Sequence, residues 1–298
     1  MGNEASWMSN PGQLAASGID TSIPHSARAY GWMVGSKDNF PADRQFLLDL
    51  LPNFPECLDI ARQNRLFLYR VVRYLTAPVD EGGAGITQFI DFGCGLPTGD
   101  NVHQVAKRFT NDTHVVYVDI DPIVLAHGRA LLAEDDTTTI IQADMRDPGI
   151  LHHPDLVRLI DFDRPLAVLY LSVGHHLKDE PGQGLAPARD TLRAVIDNAA
   201  PGSHIAASQV VCDDAERGTA FAAAIDAAGI PWQSRTPAEF DALLDGLTAL
   251  EPGLVNLKDW RPDPDQPTLP PVDPALKAFE GAAAGSNLYE YGGVLRKA

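Results

Sequence analysis

Short apolar segments alternate with amphipathic ones along most of the chain, from about residue 86 onward. The apolar segments are short enough for β-strands and read QFIDFG, HVVYVDI, TTTIIQAD, LAVLYLS and SHIAASQVV. The segments between them have the spacing of helices and lie after Asp100, after Pro122, at 150–159 and at 187–198. Strands that are apolar on both faces and alternate with helices predict an α/β fold with a parallel sheet covered on both sides.

The part of the chain before residue 86 predicts helices and no sheet. Residues 43–74 place apolar side chains at three- and four-residue steps, interrupted at Pro52 and Pro55. The glycine-rich stretch 81–85 then ends the helical pattern and marks a boundary. We therefore divide the chain into a mobile N-terminus (1–20), an N-terminal helical cap or lid (21–84) and a sheet domain (85–298).

The chain after residue 235 departs from the strand–helix alternation. The segment TPAEFDALLDGL contains a capping box formed by Thr236 and Glu239, with Pro237 at the first helical position. Two further strands are predicted near LVNLKDW and NLYEYGGVLRK, joined by a proline-rich link. Because no long crossover helix separates them, we expect an antiparallel pair at one edge of the sheet.

Composition excludes several classes of partner. The 298-residue chain carries 23 Lys and Arg against 40 Asp and Glu, a formal net charge of −17 at pH 7. Binders of nucleic acid or of anionic membranes normally carry a basic face, so we expect neither partner. The three cysteines lie far apart, and no Cys/His cluster has metal-ligand spacing. With no secretory signal or membrane-spanning run in view, we expect a cytoplasmic protein without a metal site.

The segment QFIDFGCGLPTGD carries the most specific chemical signal in the chain. Its strand ends at Asp91, and Gly93 and Gly95 let the backbone turn tightly and approach a ligand. A dinucleotide-binding loop would carry a third glycine where Thr98 stands, and its pyrophosphate would be repelled by Asp91. A carboxylate at this position instead suits a cationic amino-acid group.

Acidic residues end the next two strands as well. Asp119 is placed to accept hydrogen bonds from ribose hydroxyls, and Asp144 is placed for an exocyclic amine; Ile120 and Met145 follow these two acids as further cofactor contacts. Carboxylates for an ammonium group, a ribose and an adenine at three successive strand ends predict S-adenosylmethionine as the cofactor. Each of the last two acids could instead form a strand-end turn, and Met145 could be a core residue.

The segments DFGCGLPT, YVDIDPIVLAHGRALL and ADMRDP resemble the first three cofactor motifs of class I S-adenosylmethionine-dependent methyltransferases. Pro97 departs from these motifs, since many members have a third glycine there. Over nearly the whole chain, and most specifically at 19–44, the sequence resembles an actinobacterial family of S-adenosyl methyltransferases of unassigned substrate. This resemblance implies S-adenosyl-L-methionine as cofactor and a Rossmann-like, seven-stranded, mostly parallel sheet with an antiparallel C-terminal strand pair and an N-terminal helical cap.

The loop after the fourth strand, LSVGHHLKD, faces the transferred methyl group in the resembled fold. His175 and His176 are therefore the predicted catalytic residues, either as a general base or as a substrate contact. The alternative is that one histidine packs in the core and the other caps a helix. Ser172, at the end of the strand, is predicted to contact the cofactor or its water.

Residues 28–40, RAYGWMVGSKDNF, mix aromatic side chains, glycines and charges of both signs. One interpretation is a helix that packs its aromatic side chains on the sheet. The other is a lid that closes over the cofactor, with Arg28, Tyr30 or Asn39 facing the substrate.

The predicted function is S-adenosylmethionine-dependent methylation of an unidentified small-molecule acceptor. A hydroxyl acceptor would need a base, for which we favour His175 or His176, whereas an amine or a thiolate would not. The alternative from another class is a non-catalytic protein that binds S-adenosylmethionine or its product S-adenosylhomocysteine. A nicotinamide-dependent dehydrogenase is disfavoured by Asp91.

Overall fold

The computed structural model describes residues 20–131, 136–180 and 185–298. The predicted mobile N-terminus lies outside the described residues except for Asp20. The α-helices are α1 Ser26–Met33, α2 Pro41–Leu50, α3 Cys57–Thr76, α4 Val102–Ala106, α5 Pro122–Leu131, α6 Pro154–Leu159, α7 Ala188–Asn198, α8 Ala215–Asp226 and α9 Pro237–Leu243. The strands are β1 Gln88–Phe92, β2 His114–Asp119, β3 Thr138–Gln142, β4 Ala167–Tyr170, β5 His204–Cys212, β6 Thr248–Ala249, β7 Val255–Asn256 and β8 Leu288–Arg296.

The strands form one mixed sheet in the order β3-β2-β1-β4-β5-β8-β6, with β7 also paired to β8. Strands β1 to β5 are parallel, whereas β8 runs antiparallel to β5, β6 and β7. The prediction of a mostly parallel sheet with an antiparallel C-terminal part is therefore confirmed. The described residues contain eight strands where seven were predicted, because two separate two-residue strands border β8.

The direction of winding reverses between β1 and β4. The chain runs from β1 through β2 to β3 on one side, and then crosses to β4 on the other side. Phe92 of β1 pairs with Val118 of β2, and Asp91 pairs with Leu169 of β4. In open α/β sheets, ligands bind outside the carboxyl ends of the strands at such a reversal. Asp91 of β1 and Asp119 of β2, the acids that were predicted from the sequence, lie at this same edge.

Both faces of the parallel strands are buried. Ile90, Val116 and Val168 belong to a core layer with α6, α7 and α9. Phe89 and Val115, their neighbours along the strands, belong to the opposite layer with α3 and α4. Since successive residues of a strand point to opposite faces, coverage on both faces explains why these segments read as unbroken apolar runs.

The N-terminal helices share an apolar core with β5 and α8. Trp32 of α1, Leu47 of α2 and Leu58 of α3 pack in one cluster with Val210 of β5 and Phe221 of α8. Fully burying one such side chain stabilises the folded state by about 1.5–3 kcal/mol. The helices before residue 85 are therefore packed onto the sheet by the same apolar contacts that hold the rest of the chain.

A buried ion pair fixes α1 against α2. Nε of Arg28 lies 3.2 Å from Oδ1 of Asp43, and both side chains are almost fully buried. The Asp43 carboxylate also accepts hydrogen bonds from the amides of His25 (2.9 Å) and Phe40 (2.8 Å). These amide bonds satisfy one donor at the start of α1 and one at the start of α2, and they orient the carboxylate toward the guanidinium.

Two C-terminal predictions have different outcomes. The capping box is confirmed: the amide of Thr236 donates to Oε2 of Glu239 (2.7 Å), and the amide of Glu239 donates to Oγ1 of Thr236 (3.3 Å). The strand near LVNLKDW is only two residues long, because the chain turns into a short 3-10 helix at Leu257–Asp259. The Arg70 guanidinium binds the carbonyls of Leu257 (2.6 Å) and Trp260 (2.9 Å), so these oxygens do not join the sheet.

Helix α8 was not predicted, because its alanine-rich sequence AERGTAFAAAID offers few large apolar residues to reveal a period. Within the described ranges, no helix combines the length and the apolar character needed to cross a membrane.

Candidate functional site

A cavity of about 430 Å³ lies at the carboxyl ends of β1 to β4. The loops that follow these strands line one side, and α1, α2 and α3 line the other. Residues of β5 and α8, together with the segment around Trp232, close a third side. This volume falls within the roughly 300–1,000 Å³ of typical small-molecule sites.

The glycine loop after β1 presents its backbone to the cavity. Gly93 and Gly95 both line the cavity and have φ angles of 66° and 65°, in the left-handed region that favours glycine. A Cβ atom on Gly93 would also lie only 2.5 Å from Cγ1 of Val173. Both backbone angle and space therefore require glycine at position 93.

Asp91 is a buried carboxyl on the cavity wall. It is 5% exposed, and within the described residues its side chain has no hydrogen-bond or ion-pair partner. Burial raises the pKa of Asp91 to about 7; nearby Arg65 opposes this rise and Asp119 adds to it. A buried carboxyl in this condition would be stabilised by a cationic group in the cavity, because an opposite charge favours its ionised form.

Asp119 ends β2 and is held by two backbone donors. Its Oδ2 accepts from the amide of Gly95 (2.9 Å), and its Oδ1 accepts from the amide of Asp121 (2.9 Å). Burial raises the pKa of Asp119, while these two amide bonds act in the opposite direction. The Cys94 thiol makes a longer contact to Oδ2 (4.0 Å), and a hydroxyl oxygen is the stronger partner, so the carboxylate can still accept hydroxyl donors from a ligand.

Asp144 lines the cavity but already has a cationic partner. The guanidinium of Arg146 donates to both carboxylate oxygens, at 2.9 and 2.6 Å, and the Arg146 amide donates to Oδ1 at 2.9 Å. Burial alone would raise the pKa of Asp144, but these bonds from Arg146 lower it. A ligand amine would have to share the carboxylate with Arg146. The side chains of Ile120, which is 53% exposed, and Met145 line the cavity beside it.

The two predicted catalytic histidines lie in a 3-10 turn after β4, and both line the cavity. His175 stacks on Trp232, with ring centroids 3.7 Å apart, and its Nδ1 accepts from the amide of Val210 (3.2 Å). His176 places its Nδ1 2.8 Å from the carbonyl of Pro231, which requires a proton on that nitrogen and leaves Nε2 as the basic one.

Burial weakens both histidines as bases. It lowers the pKa of His175 well below the usual value, with His176 and Arg235 contributing further. It also lowers the pKa of His176, to about 4, although the bond to Pro231 opposes the shift. The basic nitrogen of His175 is already occupied, so His176 is the better placed of the two, and the catalytic role of either stays a prediction.

The predicted lid residues separate into two groups. Tyr30 lines the cavity, donates its hydroxyl to the carbonyl of Ala61 (3.1 Å) and accepts from Nδ2 of Asn64 (3.0 Å). Arg28 is committed to Asp43 and to backbone carbonyls near the start of α1, and it does not line the cavity. Asn39 binds Arg44 and the Ser36 carbonyl, also away from the cavity wall. The positions of Arg28 and Asn39 thus do not support a direct substrate contact.

Among the wall residues that sequence reasoning missed are three with charged or aromatic side chains. Arg65 of α3 lies near Asp91 and donates to the Gly99 carbonyl (2.5 Å). His25 caps α1 and places its Nδ1 3.2 Å from Oδ2 of Asp121. Trp232 lies beyond α8. The spacing within a plain amphipathic helix or a connecting loop gives no signal that such residues meet at a distant strand edge.

The charged and apolar groups of the cavity wall fit one known cofactor. The partnerless Asp91 suits an ammonium group, Arg65 suits a carboxylate, Asp119 suits a ribose, and exposed Ile120 suits an adenine face. A parallel sheet with a glycine loop at its winding reversal and acids at the strand ends defines a class I S-adenosylmethionine site. Among the described residues, no group of His, Cys, Asp and Glu side chains is arranged to hold a metal ion.

Comparison with known proteins agrees with this class. The chain belongs to the S-adenosyl methyltransferase family, whose model matches residues 12–298, and its cofactor is S-adenosylmethionine. A Thermobifida fusca protein provisionally given as a methyltransferase is 38% identical, with 94% of this chain and 97% of that chain covered and a TM-score of 0.77. A DUF574 family protein from Streptomyces avermitilis is 32% identical, with 94% and 99% covered and a TM-score of 0.77.

More distant structures share the fold alone. Geranyl diphosphate C-methyltransferase from Streptomyces coelicolor is 14% identical, with 93% of this chain and 90% of that chain covered and a TM-score of 0.50. Comparison with curated proteins gives no match.

The raised pKa of Asp91 predicts a pH dependence of cofactor binding. The ionised carboxyl binds the ligand ammonium, so the affinity for S-adenosylhomocysteine should be level above about pH 7 and fall by up to about tenfold per pH unit below it. Calorimetric titrations at several pH values measure this slope. Asp91→Asn should bind weakly and lose the slope; if the slope survives in this variant, another group such as Asp119 is responsible.

Asp119→Ala should weaken binding of S-adenosylhomocysteine by at least about tenfold. Hydrogen bonds to a charged group contribute roughly 1.5–3 kcal/mol each, and about 1.4 kcal/mol is a factor of ten. Asp147→Ala is a matched control, because Asp147 also accepts from the backbone amide two residues later but does not line the cavity. Equal affinities for both folded variants would make Asp119 a turn former only.

Proposed function

We propose that the protein transfers the methyl group of S-adenosylmethionine to a small, largely apolar acceptor enclosed under the N-terminal helices. The observation that carries this proposal is the unequal chemistry of the cavity. The acids and the glycine loop lie together at the ends of β1 to β3, whereas the part between α2, β5 and α8 is apolar. A methyl donor would occupy the polar part and an acceptor the apolar part.

The apolar part of the cavity is large enough to select an acceptor. Its walls are aliphatic and aromatic side chains from five elements and one loop: Met33, Phe46, Leu50, Ile60, Val210, Phe221, Ile225, Ile230 and Trp232. Burying apolar surface against such walls provides affinity at about 25 cal/mol per Å². The net charge of −17 further disfavours a nucleic-acid acceptor.

The residues of the proposed site divide the work of the reaction. Bound S-adenosylmethionine supplies an activated methyl group on a positively charged sulfur. Asp91, Asp119 and Asp144 hold and orient it, and the helices of residues 21–84 exclude water from the reacting atoms. Because His175 and His176 are weak bases in this environment, we expect substrate positioning to matter more than proton removal by either.

The compartment proposed is the cytoplasm. All three cysteines are free, and Cys57 and Cys212 are buried, an arrangement that needs no oxidising environment.

Methyl transfer is tested with S-adenosylmethionine labelled in its methyl group. We expect label to enter the low-molecular-mass apolar fraction of a cell extract, and not its nucleic acid, with S-adenosylhomocysteine formed in equal amount. Asp91→Asn is the control for transfer that depends on the site. Tight cofactor binding without turnover in any fraction would favour the non-catalytic alternative, and tighter binding of NAD would reject the assignment of the site.

Cofactor binding should protect the N-terminal segment from hydrogen exchange. His25 contacts Asp121, and a Cβ on Gly95 would lie 4.0 Å from Cβ of Ala27. Ligand contacts at the glycine loop and at the turn after β2 would therefore also stabilise the start of α1. We expect slower exchange across residues 28–40 in the S-adenosylhomocysteine complex, with α9 unchanged as an internal reference. Protection confined to the glycine loop and the turns after β2 and β3 would show that this segment only packs.

A further inference from the structure

Glu290 of β8 is a fully buried acid without a cationic partner. It is 0% exposed and takes part in no ion pair within the described residues. Its carboxyl is bound by two serine hydroxyls: Oγ of Ser208 donates to Oε1 (2.8 Å), and Oγ of Ser172 donates to Oε2 (3.2 Å). A buried acid held only by hydroxyls is costly for stability alone, since an apolar residue would avoid its desolvation.

Ser172 connects this acid to the cavity. It lines the cavity directly after β4, at the strand end nearest the predicted reaction. Its φ of 58° is in the left-handed region, which costs a serine free energy that glycine would not lose. Its amide donates to Oγ of Ser208 (2.8 Å), which fixes the turn relative to β5. The strained backbone holds the Ser172 hydroxyl between the cavity and Glu290.

The side chains that reach Glu290, directly or through a chain of hydrogen bonds, are neutral polar groups. Ser208 comes from β5, Ser172 from the turn after β4, and Asn64 from α3, whose Oδ1 lies 3.5 Å from Oγ of Ser208. Tyr30 of α1 follows through Asn64; burial raises the pKa of Tyr30 to about 12, so its hydroxyl stays protonated. Burial raises the pKa of Glu290 to about 8, and the two serine bonds oppose the rise.

We propose that the acceptor is an apolar molecule bearing a hydroxyl group, and that Ser172 passes the proton of this hydroxyl to Glu290 as the methyl group is transferred. This proposal rests on the proposed function and names the acceptor chemistry and the proton route of the same site. Ser172 is the catalytic residue that touches the acceptor, and Glu290 is a positioning residue that acts through it.

The proton and electron balance of the step is complete. The acceptor oxygen forms a bond to the methyl carbon, and the carbon–sulfur bonding pair stays on sulfur, which becomes neutral. The hydroxyl proton moves to Oγ of Ser172 while the Ser172 proton moves to the Glu290 carboxylate. After the product leaves, Glu290 returns a proton through the Ser172 hydroxyl to solvent in the cavity. A base that titrates near the working pH suits this task better than His176, which remains neutral and weakly basic.

Three apolar alcohols probe the acceptor class: 4-ethylphenol, 2-naphthol and cyclohexanol, each compared with its methyl ether. Calorimetry on the S-adenosylhomocysteine complex should show that at least one alcohol binds. Ser172→Gly should weaken the binding of that alcohol by about tenfold and leave the affinity for its ether unchanged, since only the alcohol donates to Ser172. Glycine adopts the backbone of position 172 without strain, so this variant should fold at least as well as the parent.

The rate measurement separates a proton route from a packing role. With S-adenosylmethionine and the bound alcohol, kcat should rise with pH and level off near pH 8, because only ionised Glu290 accepts the proton. Glu290→Gln keeps the size of the side chain and one acceptor oxygen, and it should lower kcat by about 100-fold or more, with KM for S-adenosylmethionine unchanged and the rising limb lost. Glu56→Gln, a buried acid paired with Arg217 outside the cavity wall, should keep the limb.

Each contrary result overturns the relay. It fails if none of the alcohols binds, if alcohol and ether respond equally to Ser172→Gly, or if Glu290→Gln keeps the parent pH profile. Transfer by the parent protein to an apolar amine or thiol, with no transfer to an alcohol that binds, would reject the relay and leave the methyltransferase intact. Absence of S-adenosylhomocysteine binding by the parent protein would reject the proposed function itself.

Discussion

The hydrogen bond from the amide of Gly95 to Oδ2 of Asp119 joins the loop after β1 to the end of β2, next to the bond from the amide of Gly93 to the carbonyl of Val118. The loop can offer this amide only because glycine adopts a positive φ at position 95. The other oxygen of Asp119 binds the amide of Asp121, and the Asp121 carboxylate lies against His25 at the start of α1. Glycine loop, strand end and N-terminal helix are thus positioned by one short series of contacts, and the cavity between them depends on it.

Several acids that are costly to bury are retained at or behind the wall of this cavity. Desolvation raises the pKa of Asp91, Asp119 and Glu290, whereas Asp144 is compensated by Arg146. A stable fold without a ligand would gain from replacing the uncompensated groups with apolar ones. Perturbed acids that cluster along a cavity are typical of sites that bind charge or move protons.

The candidate cofactor residues at the strand ends could be predicted from the sequence because they lie in short continuous segments. Asp91 with Gly93 and Gly95 forms one unbroken segment, and the period of the strands places Asp119 at the same edge. The prediction of a mostly parallel sheet followed from the alternation of apolar runs and helices. The capping box at Thr236 was equally local, since its two partners are three residues apart.

What sequence could not supply are contacts between distant segments. Asn64, Ser208 and Glu290 are unremarkable in a helix and two apolar strands, yet they meet behind the cavity. Arg28 attracted a functional interpretation through its neighbours, but its charge is used by Asp43, 15 positions later. Pattern reasoning identifies residue types and periods; it does not tell which charge is already neutralised by a partner far along the chain.

Strand β8 is inserted between β5 and the short β6 and β7, although it comes after them in sequence. During synthesis, the position in the sheet between β5 and β6 therefore stays unfilled until residues near 290 are available. Before that point β5 has an unpaired edge, and Ser172 and Ser208 lack the carboxyl that orders their hydroxyls. Assembly of the polar network is thus coupled to the last long-range pairing of the sheet, so a nascent chain that has folded around β1 to β4 holds the acids of the strand ends before it holds the complete network behind the cavity.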